Sequence, residues 1–415
     1  MQDEIERYVR KKTRKDPFDP AVLDWICAAV TAQKAAYWNE EEKRTIRYRT
    51  PSSVIAYLAY QFPVNYAAWA TIFAGLFGRR PPGHLSVLDI GCGPGTVALA
   101  LIGVLDRMGG GTADVRAVER SRDHIDAYAA IVPQVAAAGG RVTVHPPVAA
   151  DIRVPPAGIA GPFDLITCSN VLNELPEGDR APLLQAYARL LSPGGLLVCI
   201  EPAEMRTASL LRRCALALHG NGLYIRAPCR FLRGTPCRAE RCWSFVTHPP
   251  VAATRLMRHC AERGGSWRFC NTDVQYAYVV FAGQPVPSAY RVPERSGCIR
   301  CGDIGRHLHR YVSTEVTVVS DELGSPDTHV RKICDGTGRE GVYAVMHGYH
   351  VRPANRWLLD APYGSVVRIT HALVRRNERH HAWNLLVTRD SEVVPVRPPA
   401  WPPLPGAADG EKTKD

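Results

Sequence analysis

A chain of 415 residues has room for two or three independently packed domains. Hydrophobic residues make up 46% and charged residues 22%, as in an ordinary globular protein, and no apolar run approaches the roughly 20 residues of a membrane span. The formal charge of +11 favours a polyanionic partner, nucleic acid first, through counterion release. The acidic start, with Asp3, Glu4 and Glu6, fits neither a signal peptide nor an acid-poor transit peptide, so the reading is of a cytoplasmic protein with no membrane partner. In a reducing compartment, clusters among its 13 cysteines point to metal or redox chemistry rather than to disulfides.

Residues 1–80 read as a helical region. Asp19-Pro20 opens a helix with Ala21, Val22, Trp25, Ile26, Ala29 and Val30 at helical spacing. A second apolar stretch covers 53–60, and a third follows Pro63 with Tyr66, Trp69, Ile72, Phe73 and Leu76. Arg79-Arg80-Pro81-Pro82-Gly83 then breaks the pattern. From Leu85 to Pro202, strands at 86–90, 115–119, 142–145, 163–168 and 195–201 alternate with helices, which implies a parallel sheet with crossover helices. Residues 203–300 form a cysteine- and arginine-rich insertion followed by a strand at 276–281. Between 312 and 396 β-branched alternation takes over, with a hairpin turn at Asp335-Gly336-Thr337-Gly338. Residues 397–415, rich in Pro, Gly, Lys and acids, read as a disordered tail.

The sharpest motif is Val87-Leu88-Asp89-Ile90-Gly91-Cys92-Gly93-Pro94-Gly95-Thr96. A strand that turns at once into a helix needs glycine at Gly91, Gly93 and Gly95, where the backbone must bend and leave amides open to a ligand. Gly-x-Gly alone is shared with dinucleotide enzymes, but Asp89 before the first glycine makes the segment resemble motif I of class I, Rossmann-like S-adenosylmethionine methyltransferases. Two further acids fit that cofactor. Glu119 ends the second expected strand, where a carboxylate accepts from both ribose hydroxyls. Asp151 falls where such folds place an acid near the adenine amine. Ser169, Asn170 and Asn173 follow the 163–168 strand at the carboxyl edge, where ligands lie in such sheets, and Asn170 joins the cofactor set. No Asn-Pro-Pro-aromatic or Asp-Pro-Pro-Tyr motif and no cysteine pair for C5 chemistry is present, so the catalytic residue stays unassigned.

Cys229, Cys237 and Cys242 lie within fourteen residues of irregular, proline-containing sequence, and Cys298 and Cys301 follow about sixty residues later. Four thiolates suit zinc or an iron–sulfur cluster. The Cys-x-x-Cys at 298–301 leans to zinc; three near ligands and one distant one lean to a cluster.

At this point the order of motifs carries a resemblance. Gln61-Phe62-Pro63-Val64-Asn65-Tyr66, the glycine loop, Ser169-Asn170-Val171-Leu172-Asn173-Glu174-Leu175-Pro176, Ile200-Glu201-Pro202 and the cysteine triplet together resemble the methyltransferase-like ribosomal small-subunit assembly-factor family over residues 50–310. Its best-known members act in mitochondria, and it has prokaryotic relatives. The resemblance implies association with small-subunit rRNA or a ribosomal particle, a retained cofactor pocket and a 4Fe–4S cluster. Carried over by position, the ligands are Cys229, Cys237, Cys242 and one of Cys298 and Cys301, with Cys301 preferred because Cys301-Gly302-Asp303-Ile304-Gly305 resembles the family's Cys-Thr-x-x-Gly segment; the first three are spaced long-then-short here and short-then-long in the family. The succession of segments over 312–396 resembles the OB-fold of replication protein A-type single-strand binders. There Arg331, Lys332, Arg368, Arg375 and Arg376 would supply charge, with Tyr343, Tyr349 and Trp357 as stacking candidates.

The expected architecture is therefore α/β. A helical region (1–80) precedes a class I methyltransferase domain (81–310) with a cysteine-rich metal-binding insertion (225–245), and an OB-like β-barrel (312–396) follows. The leading functional expectation is an S-adenosylmethionine-binding rRNA factor. The alternatives are an active methyltransferase on a small molecule or protein with structural zinc, and a binding protein with a vestigial pocket.

Overall fold

A computed structural model describes residues 1–38, 51–78, 83–228, 242–265, 267–285 and 297–397. Four helices open the chain, α1 (Gln2–Thr13), α2 (Pro20–Trp38), α3 (Pro51–Tyr60) and α4 (Phe62–Phe77). Then β1 (His84–Ile90), α5 (Thr96–Met108), β2 (Thr112–Glu119), α6 (Arg122–Gly139), β3 (Val142–Val144), β4 (Val148–Ala149), β5 (Phe163–Ser169), α7 (Glu177–Ala188) and β6 (Leu191–Pro202) alternate. They are followed by α8 (Met205–Leu218), β7 (Tyr224–Ala227), β8 (Val246–His248), α9 (Arg255–Arg263) and β9 (Val274–Ala282). The chain ends in β10 (Tyr311–Val318), β11 (Thr328–Cys334), β12 (Val342–His347), α10 (Trp357–Asp360), β13 (Val366–Asn377), β14 (Ala382–Leu386) and β15 (Glu392–Arg397). Two compact units result, residues 1–200 with 248–275, and residues 201–247 with those from 276 onward.

In the first unit the strands are parallel and run in the order β3-β2-β1-β5-β6. Val87 of β1 lies between Val115 of β2 and Leu165 of β5. Burial on both faces explains why Val87, Leu88, Asp89 and Ile90 are all enclosed. Helix α6 begins at Ser121, whose hydroxyl accepts the His124 amide, and α5 buries nearly its whole length from Thr96 to Leu105. Helix α4 packs on α5 and contributes Trp69 and Phe73, both fully buried.

All five expected strands of this sheet are present. One detail differs: Leu191-Ser192-Pro193-Gly194-Gly195, which reads as a turn, lies inside β6. The register against β5 jumps from Phe163–Leu191 to Leu165–Leu196, so the extra residues form a bulge with Gly194 at φ 87°. Helices α8 and α9 are additional to the expected elements. Helix α9 is arginine-rich and buries only Leu256, Met257 and Cys260, with Thr254 capping its start.

In the second unit β10, β11 and β12 pair antiparallel, β12 pairs β14 in parallel, and β13 joins β14 to β10. The result is a closed five-stranded barrel, with helix α10 between the third and fourth strands and β15 added along β13. Closure removes unpaired strand edges. Val316, Ala344, Met346, Val367, Ile369 and Val374 fill the interior, with Cys301 and Ile304 of a 3-10 turn packed against them. The expected hairpin turn joins β11 to β12. Its Asp335 carboxylate accepts the Thr337 amide and hydroxyl (2.9 and 2.7 Å) and the Cys301 amide (2.9 Å), pinning the 3-10 turn to the barrel.

Candidate functional site

A cleft of about 630 Å³ opens in the first unit over the carboxyl ends of β1, β2 and β5. That is where open α/β sheets bind ligands, and its volume suits a nucleoside-sized molecule. Gly91, Cys92, Gly93 and Pro94 form its floor, Glu119 to His124 one wall, and Ser169 to Val171 with Glu174 the other.

Glycine is required in the loop for two different reasons. At Gly91, φ is 69° and an added Cβ would stand 2.7 Å from Val171 Cγ2, so the loop passes tightly under the β5 exit. At Gly95, φ is 94° and an added Cβ would stand 2.2 Å from Val132 Cγ2, so this residue lets α5 approach α6. Gly95 is thus a packing glycine and does not line the cleft, whereas Gly91 and Gly93 do.

The Glu119 carboxylate accepts the Gly93 amide at 3.0 Å through Oε2 and the Ser121 amide at 2.7 Å through Oε1. It faces the cleft beside the buried His124, whose Nδ1 is 4.0 Å away. Burial depresses the protonation of that imidazole, against the pull of Glu119 and Asp123. Asp89 lies beneath the loop, fully buried, and is not part of the cleft lining. Its Oδ1 accepts the Thr167 hydroxyl at 2.8 Å, and its Oδ2 has no hydrogen-bond partner among the described residues. Burial pushes its carboxyl up to about 7; Thr167 opposes the rise and Glu119 adds to it.

Asp151 lines the cleft but is held by Arg153, through the backbone amide (2.9 Å) and a bidentate guanidinium contact (2.7–3.2 Å). Those bonds lower its pKa, and nearly half of its side chain stays exposed. Asn170 lines the cleft in the left-handed region (φ 54°), which Asn tolerates better than most residues, and its amide donates to Ile200 O at 2.8 Å. Ser169 accepts the Trp69 indole N–H at 2.8 Å, while Asn173 does not line the cleft.

Among the lining residues outside the site read from the sequence are Tyr57, His124 and Glu174. Tyr57 comes from α3 and is held by Thr96 and Asn65, each at 3.2 Å from its hydroxyl. Glu174 stands 3.6 Å from Arg120, and burial pushes its carboxyl up to about 7, with Arg120 opposing and Glu119 reinforcing. Sequence pattern does not separate Tyr57 from the apolar helix face around it, and Glu174 sits in an irregular segment with no period to read.

Of the expected metal ligands, Cys229 and Cys237 lie outside the described residues. Cys242 is half-buried with the Lys332 ammonium 4.0 Å from its Sγ. Cys301 packs in the barrel core, where burial, Asp335 and Cys334 push its thiol well above the ordinary value. Among the described residues no group of three or more His, Cys, Asp or Glu is placed to hold a metal ion.

Most of the barrel's expected nucleic-acid cations are engaged within the barrel unit itself. Lys332 is 5% exposed and donates to Trp243 O at 2.7 Å; Arg331 contacts Leu359 O. Arg368 pairs with Glu315 at 3.3 Å, and Arg376 pairs with Glu340 while lying over the Trp383 ring. Arg375 is exposed. Of the stacking candidates, Tyr349 is exposed, Tyr343 is half-buried, and Trp357 packs against the core.

Among the described residues no helix is long and apolar enough to cross a membrane. Residues 302–396 match the family model described as the C-terminal domain of a domain of unknown function, DUF8157. The ubiquinone biosynthesis O-methyltransferase of Thiobacillus denitrificans is 30% identical over 118 residues, which is 28% of this chain and 44% of that enzyme, so the match spans less than half of the relative. Among solved structures, magnesium protoporphyrin IX methyltransferase of Synechocystis PCC 6803 aligns at 16% identity and TM-score 0.31, covering 65% of this chain and 97% of its own. The plantazolicin methyltransferase BpumL aligns at 11% identity and TM-score 0.34, covering 63% and 98%. Residues 51–314, well over half of the chain, match the model described as mitochondrial small ribosomal subunit Rsm22, and the chain belongs to that family.

Proposed function

We propose that this protein is an S-adenosylmethionine-binding, methyltransferase-fold factor that binds small-subunit rRNA in a ribosomal particle during assembly. The observation that carries the cofactor is the Gly93–Glu119 contact at the mouth of a cleft floored by the glycine loop. Gly93 leaves space for a ligand against the backbone, and Glu119 offers carboxylate lone pairs to a ribose diol. Asp151 and Asn170 would take the adenine and methionine ends. When bound, the cofactor supplies an electrophilic methyl group; the chain's own residues hold and orient it and shield it from water.

Family membership and the charge of +11 support the ribosomal partner. The strand order of the barrel, with third and fifth strands parallel and a helix before the fourth, is OB-like, which supports single-stranded RNA as the ligand of that unit. A cytoplasmic setting belongs to the same proposal. RNA crosslinking in cells followed by sequencing tests it: enrichment of small-subunit rRNA is expected, and retention of no RNA at moderate salt overturns it.

The cysteine segment is proposed to hold a metal centre, a 4Fe–4S cluster or zinc, through Cys229, Cys237, Cys242 and one cysteine of the Cys298–Cys301 pair. The Lys332 ammonium lies 4.0 Å from the Cys242 Sγ. Burial holds the Cys301 thiol well above its ordinary value and works against a thiolate there, so Cys301 does not fit a ligand role in its packing. Iron, zinc and acid-labile sulfide analysis after anaerobic purification distinguishes the two metals, and single Cys→Ser variants distinguish the ligands. The second reading, an active methyltransferase on a small molecule or protein with structural zinc, draws its support from the 30% identical O-methyltransferase segment.

A further inference from the structure

The barrel presents two pairs of stacked rings at its surface. At the end of β12, His347 and Tyr349 are coplanar within 4° at 5.3 Å between centroids, His350 leans on Tyr349 at 4.4 Å, and Tyr349 is 67% exposed. At the start of β10, Tyr311 and His371 stack within 6° at 4.1 Å, and Tyr311 is 53% exposed. Exposed rings of this size in a water-facing position call for a partner more than for a core.

The second pair is built by a bulge. Thr314 pairs with Ile369 and Val312 with Ala372, so Thr370 and His371 together oppose Ser313. His371 takes φ 54°, a left-handed conformation that a histidine adopts at some cost, and it is thereby brought against Tyr311.

One buried polar network fixes both pairs. Asn355, fully buried, donates to His350 O (3.1 Å) and Thr388 O (2.9 Å) and accepts the Arg352 amide (2.8 Å). Ser391, 1% exposed, donates to His371 O (2.7 Å) and accepts the Thr388 amide (2.9 Å). The turn 388–391 therefore links one ring pair to the other, and its buried bonds hold exposed rings in set positions.

Cations flank the same surface. Arg352, Arg310 beside Tyr311, and Arg389 in the 388–391 turn are all exposed. Arg352 also donates to Val351 O at 2.7 Å and Tyr349 O at 3.3 Å, which holds its guanidinium beside the first ring pair.

We propose that the two ring pairs are stacking platforms for unpaired RNA bases, spanned by the turn 388–391, with Arg310, Arg352 and Arg389 taking the phosphates. The inference rests on the reading of the barrel as a single-stranded RNA module, and it locates the track away from Lys332 and Arg368, which are spent internally. Every base has a π-face, and rings interleaved with cations match a single strand better than a peptide or a lipid surface.

The test is fluorescence polarisation of the full-length protein with an unstructured fluorescent 12-nucleotide RNA, over about 50–200 mM salt. Tyr349→Ala and Tyr311→Ala should each weaken binding about 5- to 30-fold, while the two Tyr→Phe variants keep wild-type affinity. Arg389→Gln should reduce the salt slope by about 0.7. Wild-type protein that binds no oligonucleotide overturns the barrel reading and the platforms with it. Wild-type binding that survives both Tyr→Ala changes, or falls equally with Phe and Ala, overturns the platforms and leaves the barrel reading intact. Unchanged thermal unfolding of the variants confirms that the losses are local.

Discussion

The backbone amide of Gly93 donates to Oε2 of Glu119 at 3.0 Å, so the glycine loop and the end of the neighbouring strand are tied by one carboxylate. Oε1 is committed to the Ser121 amide at 2.7 Å. A carboxylate offers about four lone-pair positions, which leaves capacity toward the cleft for a diol. The same group thus shapes the loop and supplies the acceptor.

Replacing Glu119 should therefore damage binding more than folding. Glu119→Ala removes charge-assisted bonds of about 1.5–3 kcal/mol, which corresponds to roughly a 10- to 100-fold loss of S-adenosylmethionine affinity by calorimetry. Glu119→Gln, which keeps one acceptor, should lose less. Equal affinity in all three proteins would place the ribose elsewhere.

Asp89 makes a prediction about pH. Its folded pKa of about 7 lies above the ordinary value of 3.8, chiefly through burial, so the folded state keeps a proton that the unfolded chain has released. The associated stability is fully present below the ordinary value and is lost as pH rises from there through 7. Asp89→Asn removes this loss. Denaturant titrations should show the variant gaining on wild type between pH 5 and pH 8. Glu174, also near 7, adds a slope of the same sign that the variant retains. Parallel pH profiles for the two proteins would contradict the burial argument.

Gly95 separates packing from ligand binding. Alanine there meets both a φ of 94° and Val132 Cγ2 at 2.2 Å, a combination expected to cost about 2–5 kcal/mol. At Gly109, φ is 66° with nothing within 4 Å, so alanine should cost only about 1–2 kcal/mol. Val132→Ala should recover the larger steric part at Gly95, leaving the contact with Tyr128 Cδ2 at 3.0 Å and the dihedral part. A double-mutant cycle by urea unfolding measures that split, and an additive result would remove Val132 from the account.

Strands β5 and β6 were legible because two-sided burial concentrates apolar residues in them, β2 and β3 because of their Val and Ala alternation, and the glycine loop after β1 because few residues survive its dihedrals. Helix α9 was not, since only Leu256, Met257 and Cys260 are buried among arginines and acids. Tyr57 and Glu174 reach the cleft through tertiary placement, which no local period encodes. The roles of Arg331, Lys332 and Arg368 were hidden for a similar reason: their partners Leu359, Trp243 and Glu315 are remote in sequence. A basic residue in a strand looks the same whether it faces RNA or a buried carboxylate.

Arg368 turns that ambiguity into a measurement. Its Nη2 is 3.3 Å from Oε2 of Glu315, a side chain only 1% exposed, while Arg368 itself is 29% exposed. Removing one partner of such a pair leaves a buried charge, so Arg368→Met should destabilise the protein by about 3–5 kcal/mol. Pairing it with Glu315→Met should restore most of the loss, because no charge then remains to be solvated. RNA binding by the folded fraction should keep its salt slope. A slope reduced by about 0.7 with stability unchanged would instead make Arg368 a phosphate contact and Glu315 a bystander.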